Sequence, residues 1–78
     1  HDDRAVLCGP NCLHCKSSQG VTTVVVGNCG ISLAPTRLAS RPPPPLDLLG
    51  DEAWWQFGGF GEYAEALAKN PPALNTFA

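Results

Sequence analysis

The apolar pattern of the chain is strongest at residues 21–26, where valine and threonine run without alternating polar side chains. Gly20 and Gly27 bound this stretch. Such a β-branched run predicts a strand that is buried on both faces of a parallel sheet. Loops that follow parallel strands build the active sites of many α/β proteins, so Cys29, two residues beyond Gly27, is a candidate site residue. The alternative is a small buried thiol, because free cysteine is often buried.

A second pattern, near the end of the chain, has helical spacing. Its apolar residues recur at i, i+3, i+4 and i+7, which is the spacing of one helix face; they are Phe60, Tyr63, Ala64 and Leu67. Glu62 lies near the start and Lys69 at the end, which matches the helix dipole. We therefore expect an amphipathic helix over residues 60–69, with a face that packs on a sheet, ended by Asn70 and two prolines.

The remaining segments are less regular. Residues 2–10 are predicted as a loop, and residues 11–18 as a short helix that begins at Asn11, an acceptable N-cap. Four consecutive prolines at residues 42–45 exclude a helix there and favour an extended conformation. The aromatic residues that follow are expected to pack this segment down rather than to contact a substrate; they are Trp54, Trp55, Phe57 and Phe60.

Charge and hydropathy exclude two kinds of partner. The 78 residues carry a formal net charge of −2, and the five basic side chains are scattered, so we expect no binding to nucleic acid. No apolar run reaches the roughly 20 residues that span a bilayer. We expect a cytoplasmic protein with no membrane segment.

Several stretches of the sequence resemble one enzyme family. Residues 20–24 resemble the second-strand signature of the amidohydrolase superfamily, and residues 18–35 resemble its N-acyl-D-amino-acid deacylases, also called D-aminoacylases. His1-Asp2-Asp3 is similar to the last three residues of that family's His-x-His-Asp-Asp motif. Three later stretches follow the family pattern in the same order, at residues 42–50, 55–67 and 71–75, whereas residues 8–15 depart from it.

This resemblance implies a fold and a domain. The family fold is a TIM-like (β/α)8 amidohydrolase barrel, of which the chain would supply the end of the first βα unit and most of the second. Residues 1–78 would then be an incomplete part of one metal-dependent hydrolase barrel domain, with no separate second domain. A third strand would begin near Asn75. We expect such an internal fragment not to fold stably alone, since a parallel strand needs neighbours on both sides.

The resemblance also implies a chemistry, the zinc-dependent hydrolysis of the amide bond of an N-acyl-D-amino acid. Cys29 would be a zinc ligand, and His1 would contribute to a second, weaker metal position. Thiolate sulfur and imidazole nitrogen are both common zinc ligands. Asp2 and Asp3 match the motif and are either solvated acids or supports for the metal ligands. The family's general base and remaining histidines lie outside these residues, so we assign no catalytic residue here and predict no activity from the 78 residues alone. Oligomeric state and substrate side chain stay open.

A rival metal motif lies in the stretch that departs from the family. Cys8, Cys12 and Cys15 have the C-x3-C-x2-C spacing by which radical S-adenosylmethionine enzymes hold an iron–sulfur cluster. The setting argues against that function, because those enzymes place the cluster loop directly after the first strand, where this chain has His1-Asp2-Asp3. A third alternative is a small zinc-binding or disulfide-stapled module, since four cysteines allow three pairings.

Overall fold

The computed structural model describes residues 2–78, which form two short strands, two α-helices and two 3₁₀ helices. In chain order these elements are a 3₁₀ helix Ala5–Cys8, helix α1 His14–Ser17, strand β1 Thr23–Val25, a second 3₁₀ helix Leu46–Leu49, helix α2 Phe60–Lys69 and strand β2 Asn75–Phe77.

Strands β1 and β2 pair in parallel, with α2 in the connection between them. The partners in register are Thr23 with Asn75, Val24 with Thr76, and Val25 with Phe77. At the end of the pair, the Val26 N–H donates to the Phe77 carbonyl at 2.8 Å. A parallel pair joined through a helix is a βαβ unit, so the prediction of an α/β arrangement with a further strand near Asn75 is confirmed.

Strand β1 is shorter and more one-sided than predicted. The expected strand over residues 21–26, buried on both faces, is observed as Thr23–Val25. Val24 and Val26 lie in the core, whereas the Val25 side chain is 60% exposed. Burial on both faces was therefore wrong for the described residues. The second face of a parallel strand is covered only when another layer packs on it.

The core gathers side chains from the N-terminal segment, β1 and its end, the long segment between β1 and α2, α2, and the residue just before β2. Its buried members are Val6, Leu13, Val24, Val26, Leu33, Ala34, Leu49, Trp55, Phe57, Tyr63 and Leu74. Trp55 and Phe57 belong to it, which confirms that aromatic side chains hold this segment down. The Leu38 N–H also donates to the Trp55 carbonyl at 2.8 Å. Phe60 does not join the core and is 47% exposed.

Helix α2 has the predicted bounds and ends at Asn70. Tyr63 is its buried residue, Leu67 is half-buried, and Ala64 and Phe60 are exposed. The predicted apolar face is therefore real but only partly covered within the described residues. Tyr63 is the side chain that fastens the helix to the core.

The N-terminal segment is more helical than the sequence predicted. The expected loop over residues 2–10 contains the 3₁₀ helix Ala5–Cys8, so that prediction was wrong there. Val6, which is fully buried, anchors this turn. The expected helix over residues 11–18 is confined to His14–Ser17.

Candidate metal centre

Cys29 lies in a tight loop just beyond β1. Gly27 and Gly30 both have positive φ, +78° and +87°, which glycine adopts without steric cost. The Gly30 N–H donates to the Gly27 carbonyl at 3.1 Å and closes the turn. Cys29 is exposed, and its thiol makes one weak contact, with the Ile31 carbonyl at 3.8 Å. The alternative of a buried thiol does not hold, and the sulfur is accessible to a metal ion.

Asp3 lies beside this loop and is fully buried. Its Oδ2 atom accepts a hydrogen bond of 2.8 Å from the Ser32 hydroxyl, three residues after Cys29. Its carbonyl accepts a second hydrogen bond of 2.8 Å, from the Tyr63 hydroxyl of α2. Oδ1 of Asp3 is buried without a partner among the described residues. Burial of a carboxyl oxygen that accepts no hydrogen bond costs free energy, so a further polar group that donates to this atom would be favourable.

Tyr63 is held in its protonated form. Burial raises the pKa of its phenol well above the ordinary value, and the negative charge of Asp3 raises it further. The phenol is therefore a permanent hydrogen-bond donor to the Asp3 carbonyl at any physiological pH. Its ring meets the Phe57 ring edge to face, with centroids 5.4 Å apart.

Asp2 and Asp3 differ in their surroundings. The Asp2 carboxylate forms an ion pair with Lys16 and is partly exposed. Asp3 is buried and bonded to the Cys29 loop. The sequence left both acids as either solvated or supports for the metal ligands, and the geometry distinguishes between these alternatives. Asp2 is ion-paired near the surface, whereas Asp3 is placed to support the candidate site.

The other predicted ligand, His1, lies outside the described residues, so its part in a metal site stays a prediction. Sequence reasoning missed Ser32 and the bond made by Tyr63. Ser32 carried no signal beyond its place in the loop. Tyr63 was correctly assigned to the core side of α2, but nothing in the helical spacing indicated its partner 60 residues away.

An open cleft of about 330 Å³ lies next to this loop. Its lining residues come from the ends of both strands, the Cys29 loop and the start of α2; they are Val25, Val26, Gly27, Asn28, Ser32, Ala34, Phe60 and Ala78. The cleft is therefore at the carboxyl ends of the two parallel strands. In barrels of parallel strands that end carries the active site.

The cysteines of the rival motif are exposed and are not gathered into a metal-binding group. Across residues 2–78, no three side chains of the metal-ligating types come together as a site. The Cys8 thiol donates to the Arg4 carbonyl at 3.4 Å, and the Cys12 thiol donates to the Cys8 carbonyl at 3.5 Å. Desolvation by neighbouring atoms, with the nearby Cys12 thiol, raises the pKa of the Cys8 thiol. A higher pKa disfavours the thiolate form that binds metal.

The cysteines are also unpaired. All four are free thiols in the described part of the chain, so it shows no disulfide staple.

None of the helices within residues 2–78 is long and apolar enough to cross a membrane.

No protein-family model matches the chain. Three relatives from Alcaligenes xylosoxydans xylosoxydans do match it in sequence. The chain is 53% identical over 76 residues to an N-acyl-D-aspartate deacylase, 51% identical over 75 residues to a D-aminoacylase, and 44% identical over 78 residues to an N-acyl-D-glutamate deacylase. These matches cover 96%, 96% and 100% of the chain, but the chain spans only 15% of the length of each relative.

Solved structures agree with these sequence matches. A D-aminoacylase structure described as defining a novel subset of amidohydrolases superposes with a TM-score of 0.86 at 51% identity, over 97% of this chain and 16% of that one. A second D-aminoacylase structure, from work on the functional role of its binuclear metal centre, superposes equally well. The fold of residues 2–78 therefore corresponds to one segment of a metal-containing amidohydrolase.

Proposed function

We propose that the chain is one homologous segment of a D-aminoacylase, an amidohydrolase, and that it forms part of an enzyme that hydrolyses N-acyl-D-amino acids. The observation that carries this proposal is the identity of 51–53% to two such enzymes over 96% of the chain. The products would be a free D-amino acid and a carboxylate.

The proposal includes a barrel architecture. Residues 1–78 would form part of a single TIM-like (β/α)8 domain, comprising the end of its first βα unit and most of the second. The parallel pairing of β1 with β2 through α2 supports this arrangement. In such a barrel, the cleft at the carboxyl ends of the strands would face the substrate.

The proposed metal is zinc, with Cys29 as a ligand and His1 at a second position. The residues fit this role, because Cys29 offers an accessible thiol on a loop whose turn is formed by glycines with positive φ. Thiolate and imidazole are common zinc ligands. When bound, zinc would polarise the amide carbonyl and lower the pKa of a bound water to about 7.

The chain's own residues would present the Cys29 thiol and orient the loop that carries it. The Gly27 turn presents the Cys29 thiol beyond β1, and Ser32 and Asp3 hold the far side of the same loop. The cleft beside Gly27 and Ser32 would hold part of the substrate. The general base is proposed to lie outside the chain, and the expected cytoplasmic location stays a prediction.

The experiment is a substrate panel assayed on a longer protein that carries this chain. Release of free amino acid would be measured from the N-acetyl derivatives of D-aspartate, D-glutamate and D-leucine. The matching L-enantiomers are the control. We expect hydrolysis of at least one D-compound and none of its L-enantiomer. Absence of hydrolysis of every D-compound by the folded, zinc-loaded protein would refute the proposal.

A further inference from the structure

Asp3 joins three parts of the chain that are far apart in sequence. It belongs to the N-terminal segment, its side chain accepts from Ser32 of the Cys29 loop, and its backbone accepts from Tyr63 of α2. We propose that Asp3, acting through the Ser32 hydroxyl, is a positioning residue that holds the Cys29 thiol in place for metal binding. This inference rests on the proposed function, in which Cys29 is a metal ligand.

The Cys29 loop needs such an attachment. Cys29 is exposed, and its contact with the Ile31 carbonyl lies within the loop and so cannot fix the loop to the rest of the protein. The bond from Ser32 to Asp3, by contrast, joins the loop to a residue that is fully buried and 29 positions away. A loop held on one side by β1 and on the other by this bond has little freedom to move its thiol.

The position of Gly27 supports the same role. A Cβ atom placed on Gly27 would lie 3.5 Å from both Cβ and Oγ of Ser32, and 3.9 Å from Oδ2 of Asp3. The start of the loop therefore lies beside the Ser32–Asp3 bond, with room for about one carbon atom between them.

Asp3 is itself well fixed. The Tyr63 hydroxyl holds its backbone, and Tyr63 is 1% exposed and packed against Phe57. Loss of a group that orients a metal ligand typically lowers metal affinity or activity by 10–100-fold.

The test uses cobalt as the metal probe in a longer protein that carries this chain. Cobalt(II) bound by a thiolate gives a sulfur-to-metal charge-transfer band in the near ultraviolet, which reports Cys29 directly and needs no enzymatic activity. We expect Ser32→Ala to lower the affinity for cobalt by about tenfold or more and to weaken the band per bound ion. Ser32→Thr, which keeps the hydroxyl, is expected to retain both, and Ser40→Ala, which removes an exposed loop hydroxyl, is the matched control.

The possible outcomes distinguish a failure of this inference from a failure of the proposed metal site. If Cys29→Ala leaves the band unchanged, Cys29 is not a ligand, and both the proposed metal ligand and the role of Asp3 are overturned. If Cys29→Ala abolishes the band while Ser32→Ala keeps wild-type affinity and band, the metal site stands and the role of Asp3 is overturned. If Ser32→Ala fails to fold, Asp3→Asn replaces it: an amide oxygen is a weaker acceptor than a carboxylate, so affinity should fall about threefold, and unchanged affinity would overturn the inference.

Discussion

The Tyr63 hydroxyl makes a buried bond whose loss should be measurable. Tyr63→Phe removes the donor to the Asp3 carbonyl but keeps the ring that packs on Phe57. An unsatisfied buried carbonyl costs about 1–3 kcal/mol, so we expect the free energy of unfolding of a longer protein that carries this chain to fall by about that amount. Urea denaturation measures it. Ser40→Ala, at an exposed position, should change it by less than about 0.5 kcal/mol, and an equally small effect of Tyr63→Phe would contradict the expected contribution of this bond.

Single residues also show what the sequence could and could not predict. The tight turn at Cys29 was readable, because Gly27 and Gly30 permit conformations that other residues avoid. The exposure of its thiol was not, because a free cysteine is often buried. The partners of Asp3 were not, since Ser32 and Tyr63 are 29 and 60 positions away and short-range patterns carry no information on such pairs.

At the scale of elements, the start of α2 depends on Glu62. Its carboxylate accepts from the Gly58 N–H at 2.7 Å and pairs with Arg37 at 3.2 Å. Glu62 is the third helical residue, and it reaches back to the residue before the N-cap Gly59, one position beyond the partner it would have in a capping box. The bond from Gly58 lowers the pKa of Glu62 below its ordinary value of 4.5; the Arg37 charge adds to this, and desolvation opposes it.

The pH dependence follows from that direction. A lowered folded-state pKa means that the ionised Glu62 stabilises the protein above about pH 4.5, and that this stabilisation is lost as pH falls through the lower folded-state value. We expect Glu62→Gln to lower the melting temperature of a longer protein that carries this chain at pH 7, and to have a smaller effect at pH 3. Glu65→Gln, on the same helix, is the control. A Glu62→Gln effect that does not change with pH would contradict the assignment.

The elements themselves were predicted unevenly. Helix α2 was found with its predicted bounds because Asn70 and Pro71 end a clear helical spacing. Strand β1 was placed correctly but overextended, since residues 21 and 22 have β-branched side chains but no ladder partner in register. The turn at Ala5–Cys8 was missed because one buried residue, Val6, gives no periodic pattern.

For the whole molecule, the exposed sheet predicts dependence on neighbouring structure. Val25 and Phe77 are paired in register and are 60% and 65% exposed. A two-stranded sheet is marginal alone, and parallel strands are normally covered on both faces. We expect the isolated 78-residue chain to show no cooperative thermal transition by near-ultraviolet circular dichroism. A sharp transition at moderate temperature would show that these residues fold independently.

The proposed function was accessible only through resemblance. Composition and periodicity indicated an α/β protein with a cysteine loop, and the local motifs pointed to the deacylases. Neither the composition and periodicity nor the local motifs could predict the metal or the substrate side chain, because no pattern in these 78 positions identifies the residues that determine them.

The most direct test of the account is zinc-dependent amide hydrolysis in a longer protein that carries this chain, measured with and without Cys29. The account predicts release of D-amino acid that is lost on chelation, restored by zinc, and abolished in Cys29→Ala, but retained in Cys15→Ala, which removes another exposed thiol. Unchanged hydrolysis in Cys29→Ala would contradict the metal site. A coloured iron-containing protein without hydrolysis, which loses its colour in Cys12→Ala, would contradict the deacylase function itself.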